Sequence, residues 1–200
     1  MEDKDIVKIV QVILSINELT KKIGIERVVE EYDDIIIGIN NPLISYGYCR
    51  ITNGKTKRFK ENEQIVLNAN DPEISYLFCR YVPGADIPQH GKVVLKSKNP
   101  HFNFLFMRDI KGADIPAHEQ VIIESGNAKE NYNTSLYIET SDKKAHEKVV
   151  LNSHSAEYSY LYERNVKGAD VEAHKKVIEE SNSEVYKKLV KLDEKGTKII

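Results

Sequence analysis

The feature that most limits what this chain can fold into is its repeat. His90, His118, His146 and His174 follow one another at three equal steps of 28 residues; Asp86, Asp114, Asp142 and Asp170 keep the same step, as do Asp71, Asn99, Asn127, Ser155 and Ser183. Three columns on one period mean that one small supersecondary unit has been copied and stacked, because a unit this short cannot bury an apolar face alone. The stretch NPHFNFLFMRDIKGADIPAHEQVIIES (99–125) lies over DPEISYLFCRYVPGADIPQHGKVVLKS (71–97) and over HSAEYSYLYERNVKGADVEAHKKVIEES (154–181). The copy starting at Asn41 carries two extra residues in its middle loop, and residues 1–40 fit only in their second half, around VVEEYDDIIIGIN. The copy at 127–154 reads as two residues short in its turn, since YIETSDKK has no Lys-Gly-Ala.

Local chemistry turns the columns into elements. Asn41-Pro42, Asp71-Pro72 and Asn99-Pro100 place a short polar acceptor at an N-cap and proline at the first helical position. About ten residues on, Gly84, Gly112 and Gly168 suit a left-handed stop just past the helix. Two residues later the aspartate column caps a second helix, with Pro88 and Pro116 tolerated in its first turn. Each unit is thus an aromatic-rich helix A, a tight turn, a helix B bearing the histidine, and a short return. Helices of about ten residues are too short to persist alone in water, so stacking must supply their stability. The β-branched runs IIIGI (35–39) and VIIES (121–125) recur in register with helix B and lack hairpin turns, so they read as helix.

The expected fold is all-α: a right-handed α-solenoid of about six helix-turn-helix hairpins. Residues 1–40 would hold capping helices and a degenerate first repeat, residues 41–182 five tandem hairpins, and residues 183–200 a capping helix and tail. The expected N-terminal helix covers about residues 4–22 and the C-terminal one runs from Ser183 to about Asp193.

Composition narrows the function classes. A formal net charge of -2 and 30% charged residues give no single-signed field for coating a nucleic-acid backbone. No uncharged stretch reaches the roughly 18 residues of a membrane span, and the first residues, MEDKDIVKIV, are charged before any apolar run, so a cytoplasmic chain with no membrane partner is expected. Two cysteines, Cys49 and Cys79, share a column and read as small core residues. No Walker loop, G-x-G-x-x-G or H-E-x-x-H is present, so no cofactor, metal or catalytic residue is assigned and no enzyme is expected.

Four histidines in register invite a metal reading, but packed helices lie about 8–10 Å apart, too far for neighbouring imidazoles to share a zinc ion. A structural role as inward hydrogen-bonding groups fits better, and Asn62 stands in the column in the second copy. The arginines Arg50, Arg80, Arg108 and Arg164 sit in the last turn of helix A, where the helix dipole favours a cation; a break in that column is read at Ile138. Ankyrin repeats share the Gly-Ala-Asp loop but differ in period and lack Thr-Pro-Leu-His.

Positions that depart from the repeat are freer to serve a partner. The enlarged loop 51–62 offers Lys55, Lys57, Arg58 and Lys60, and the turn 137–144 offers Glu139 and Asp142; with Arg80 and Arg108 these form the candidate binding edge. The expected partner is another protein. The alternative, weaker on charge grounds, is nucleic acid gripped by the arginine column and the 55–60 loop.

At SYLFCRYVPGADIPQH (75–90) the chain resembles uncharacterised tandem helical-repeat proteins of low-GC bacteria and their phages, whose copies read as an aromatic-rich helix, GADI, then a histidine-bearing helix. The resemblance spans about residues 41–182. It implies the solenoid and no activity or catalytic residues; for a protein-binding solenoid it suggests the narrower variant of an inhibitor or adaptor encoded by a mobile element.

Overall fold

A computed structural model describes residues 3–194, and among them every regular element is an α-helix. In chain order these are α1 (Asp3–Ile23), α2 (Ile25–Ile39), α3 (Pro42–Ile51), α4 (Phe59–Asn68), α5 (Pro72–Tyr81), α6 (Ile87–Ser97), α7 (Pro100–Asp109), α8 (Ile115–Glu124), α9 (Ala128–Tyr137), α10 (Lys143–Asn152), α11 (Ala156–Asn165), α12 (Val171–Glu180) and α13 (Glu184–Glu194). The expected tail, residues 195–200, lies outside the described residues.

Among the described residues the helices fall into two compact units, residues 3–97 with 109–114, and residues 98–108 with 115–194. In the first, α1 packs on α2 and α3, then α3 on α4 and α5, α4 on α5 and α6, and α5 on α6. In the second, α8 packs on α9 and α10, α9 on α10 and α11, α10 on α11 and α12, α11 on α12 and α13, and α12 on α13. A-helices stack on A-helices and B-helices on B-helices in sequence order, which is the helical-repeat packing that the 28-residue period predicts.

The caps form as read. Asn41 accepts from the backbone N–H of Leu43 and Ile44, Asp71 from Glu73 and Ile74, Asn99 from His101 and Phe102, Asn127 from Glu130 and Ser155 from Tyr158. At the B-helices Asp86, Asp142 and Asp170 accept from Gln89, Ala145 and Ala173. Both caps recur because each repeat starts two helices and each start leaves unpaired N–H groups.

Two expectations about the turns need correction. The glycines do not sit directly after helix A. The helix-ending position is held by Val82, Ile138 or Val166, buried and extended; Gly84 and Gly168 come two residues after Val82 and Val166, and Gly112 two after the buried Ile110, at φ +82°, +88° and +93°. An apolar residue plugs the core as the chain leaves the helix, and only then does the backbone turn through the left-handed region. The second correction is that the turn at 137–144 is not shortened. Residues 138–142 join α9 to α10, just as 82–86 join α5 to α6 and 166–170 join α11 to α12. Thr140 stands where the others have glycine, and the turn closes without a positive φ, through the Ser141 N–H to the Ile138 carbonyl. The same register moves the gap in the arginine column from Ile138 to Leu136. The loop after α3, residues 52–58, does carry the two extra residues.

The B-helices end on a column that the sequence did not announce. Asn40, Asn70, Lys98, Gly126 and His154 all have φ between +50° and +68°, the left-handed stop before the next A-helix. Only one of the five is glycine, so this stop is invisible to a search for glycines.

Candidate functional site

The histidines lie at the heart of each hairpin. His90, His146 and His174 are fully buried and His118 is 1% exposed. Three of them stack on an aromatic ring of their own A-helix: His90 on Phe78 at 5.0 Å, His118 on Phe106 at 4.9 Å, and His174 on Tyr162 at 5.0 Å between ring centroids. In the hairpin of His146 that column holds Thr134 in place of a ring, and the histidine is held by hydrogen bonds. Its Nδ1 lies 2.6 Å from Oδ1 of Asn131, as Nδ1 of His118 lies 2.7 Å from Oδ1 of Asn103. In the hairpins of His90 and His174 the A-helix offers Ser75 and Ser159 instead, and these hydroxyls make no hydrogen bond to protein.

The other side of the ring meets an acidic column that the sequence reading missed. Oε1 of Glu119 accepts the backbone N–H of Asp142 at 2.7 Å and lies 3.0 Å from Nε2 of His146. Glu147 repeats this with the Asp170 N–H at 2.6 Å and His174 at 3.3 Å. Glu63 does so with the Asp86 N–H at 2.6 Å, His90 standing at 3.7 Å, beyond hydrogen-bond reach. In the degenerate first repeat Asp33, buried, accepts the Lys57 N–H at 2.8 Å together with the hydroxyls of Tyr48 and Thr56. Glu63, Glu119 and Glu147 each sit one residue after Asn62, His118 or His146 and fasten the start of the next B-helix. Gly91 and Lys175 occupy the column where it is interrupted. The signal was available: an acid directly after three members of the histidine column.

The electrostatics follow. Burial raises the cost of ionising Glu63, yet His90, Lys60 and the Asp86 N–H outweigh it and hold its pKa at about 2. Burial lowers the pKa of His146 and His174 despite the nearby Glu119 and Glu147. Among the described residues no three His, Cys, Asp or Glu side chains converge as a metal site. Cys49 and Cys79 are free thiols whose pKa burial pushes up to about 12, the setting of inert core cysteines.

The arginine column is largely engaged within the protein. Arg80 pairs with Asp109 at 2.6 Å, and Tyr76 donates to the same carboxylate at 2.5 Å. Arg164 and Tyr160 hold Asp193 in the same way. Arg108 lies over the Phe104 ring at 5.2 Å. Arg50 has a different setting: its guanidinium lies 4.7 Å above the Tyr81 ring and 3.4 Å from the Tyr46 hydroxyl.

The basic loop is also partly neutralised. Arg58 pairs with Asp34 at 2.7 Å and with Glu61, and Lys60 pairs with Glu63 at 2.7 Å. Lys55 and Lys57 keep exposed side chains, whereas the Arg58 head that sequence alone assigned to a partner serves the loop itself. In the second unit Glu139 is exposed, and Asp142 is exposed with its carboxylate capping α10. The candidate residues thus divide: Lys55, Lys57, Arg58, Lys60 and Arg80 lie in one unit, and Arg108, Glu139 and Asp142 in the other.

An open groove of about 410 Å³ lies between α1 and α3. Ile13, Leu14, Leu43 and Ile51 supply aliphatic walls, and Asn17, Tyr46 and Arg50 line it with polar groups. Gly47 lets the two helices close beneath it, because a Cβ there would stand 3.0 Å from the Ile13 side chain. Along α1 the aliphatic surface continues through Val10 and Val7, 48% and 55% exposed, to Ile6. No protein-family model, curated protein or solved structure matches this chain.

Proposed function

We propose that the chain is a non-enzymatic helical-repeat scaffold that binds another protein. The observation that carries this reading is the contrast between inside and outside. The repeated histidines are buried inside the hairpins, and Glu119, Glu147, Arg80 and Arg164 hold one hairpin to the next, while Leu14, Val10 and Val7 present aliphatic surface to solvent beside the α1–α3 groove. Helical repeats offer extended surfaces suited to such contacts. The likeness of the SYLFCRYVPGADIPQH unit to repeats of low-GC bacteria and their phages supports an adaptor or inhibitor role in particular.

The nucleic-acid alternative draws mainly on Lys55 and Lys57, since Arg58, Lys60, Arg80 and Arg164 already hold carboxylates. Co-purification from the native host, with the captured species treated with nuclease and then washed at rising salt, tests the two. A protein retained after nuclease supports the scaffold. Capture lost to nuclease, with affinity falling steeply with salt, would replace it with the alternative.

A further inference from the structure

The arginine column contains an unfilled position, and it borders the groove. Arg80 meets Asp109 and Arg164 meets Asp193, each carboxylate 29 residues on at the end of the next A-helix. For Arg50 the two extra loop residues put that place at position 81, where the chain has tyrosine. The ring replaces the acid. Arg50 stacks on Tyr81 and approaches the Tyr46 hydroxyl, and among the described residues it has no carboxylate partner.

A guanidinium held over a ring beside aliphatic walls is pre-arranged for a planar anion. It has lost part of its rotational freedom before binding, and its donors form a fork that matches a carboxylate. Val7, Val10 and Leu14 continue the aliphatic surface at i, i+3 and i+7, a helical spacing that a second helix lying alongside can match.

We propose that the α1–α3 groove with Arg50 is a docking site for an acidic amphipathic helix of a partner protein. Large aliphatic side chains of that helix seat between Ile13, Leu14, Leu43 and Ile51 and along Val10 and Val7, and one of its Asp or Glu carboxylates pairs with Arg50. This rests on the protein-binding reading above and names the chemistry of the partner. A phosphate could meet Arg50 but would gain nothing from the aliphatic stripe, so the combination favours a protein segment.

The test is a display selection on the full chain with a random library of peptides about sixteen residues long, enough for four helical turns. The expected winners carry large aliphatic residues at helical spacing with an Asp or Glu among them. Their affinity should fall about tenfold or more in Arg50→Gln and in Leu14→Glu, and stay unchanged in Arg164→Gln. Leu14 is exposed, so its variant keeps the test alive if Arg50→Gln fails to fold. Winners without acidic residues, or indifferent to both variants, would overturn this site while leaving the protein-binding reading in place. A library that yields no binder would overturn both. A labelled single-stranded oligonucleotide that binds the wild type, fails on Arg50→Gln and tolerates Leu14→Glu would reassign the arginine to phosphate.

Discussion

Glu119 and His146 stand one hairpin apart, yet Oε1 of the first lies 3.0 Å from Nε2 of the second and also accepts the Asp142 N–H that opens the same helix. One carboxylate thereby fixes both the start of α10 and the ring that anchors it. Replacing Glu119 with alanine leaves a buried ring nitrogen and a helix-start N–H without this acceptor, at a cost of about 1–3 kcal/mol. Glutamine, which keeps an acceptor, should cost less. Urea midpoints that are equal for wild type, Glu119→Ala and Glu119→Gln would show that the carboxylate does not hold the hairpins together.

Acid should weaken the fold in two stages. His146 and His174 have folded pKa values below their ordinary one near 6.5, so the unfolded chain binds protons more readily. The stability they contribute is complete above that value and declines as pH falls beneath it. Glu63, held at about 2 against an ordinary 4.5, adds a second decline between those values, worth about 3 kcal/mol in all. Glu63→Gln should flatten the lower stage and leave the upper one. Stability measured against pH that is level from 7 down to about 3 would contradict both assignments.

The histidines should differ in what they tolerate. His146 meets Asn131 through Nδ1 and Glu119 through Nε2, whereas His174 has only Glu147, 3.3 Å from its Nε2, and its ring stacks on Tyr162. His146→Leu removes two polar contacts and should cost about 2–3 kcal/mol; His174→Leu removes one, to a carboxylate that keeps the Asp170 N–H, and should cost about 1 kcal/mol. Equal losses in chemical denaturation would mean that stacking, and not hydrogen bonding, sets the value of the column.

Gly168 separates conformational strain from crowding. A Cβ there meets nothing within 4 Å, but φ is +88°. Gly168→Ala should therefore lose about 1 kcal/mol from backbone strain alone, with Gly168→Asn losing less, since asparagine enters the left-handed region more easily. An alanine variant as stable as wild type would show that this turn relaxes, as the turn through Thr140 has done.

What could be read from the residues was what each hairpin needs locally. Asn41, Asp71 and Asp170 cap helices through their own neighbours, and a 28-residue column exposes them at once. Contacts between hairpins were harder to see. Glu63, Glu119 and Glu147 pass for solvated acids because their partners lie 23 and 27 residues away. Arg58 looked free for the same reason, its partner Asp34 being 24 residues back. The turn at Thr140 lacks the glycine of its neighbours but no residue, so its sequence reads as short; position in the column, and not residue type, decides length. The groove needed Gly47 and Ile13 to be seen together, and no period links them.

The forward reach of these carboxylates also bears on how such a chain can change length. Glu119 grips what lies 23 and 27 residues ahead, and Glu147 grips Asp170 and His174 at the same offsets. Excising residues 127–154, one whole period, would bring Asp170 and His174 to Glu119 in the same geometry, so the joint would heal with no side chain altered. Cutting one residue more or fewer would leave the carboxylate facing the wrong atoms. Recombination between copies is thus filtered by the protein itself: gains and losses of whole periods keep these contacts, whereas other lengths have to be absorbed in a loop, as the two extra residues of 52–58 are.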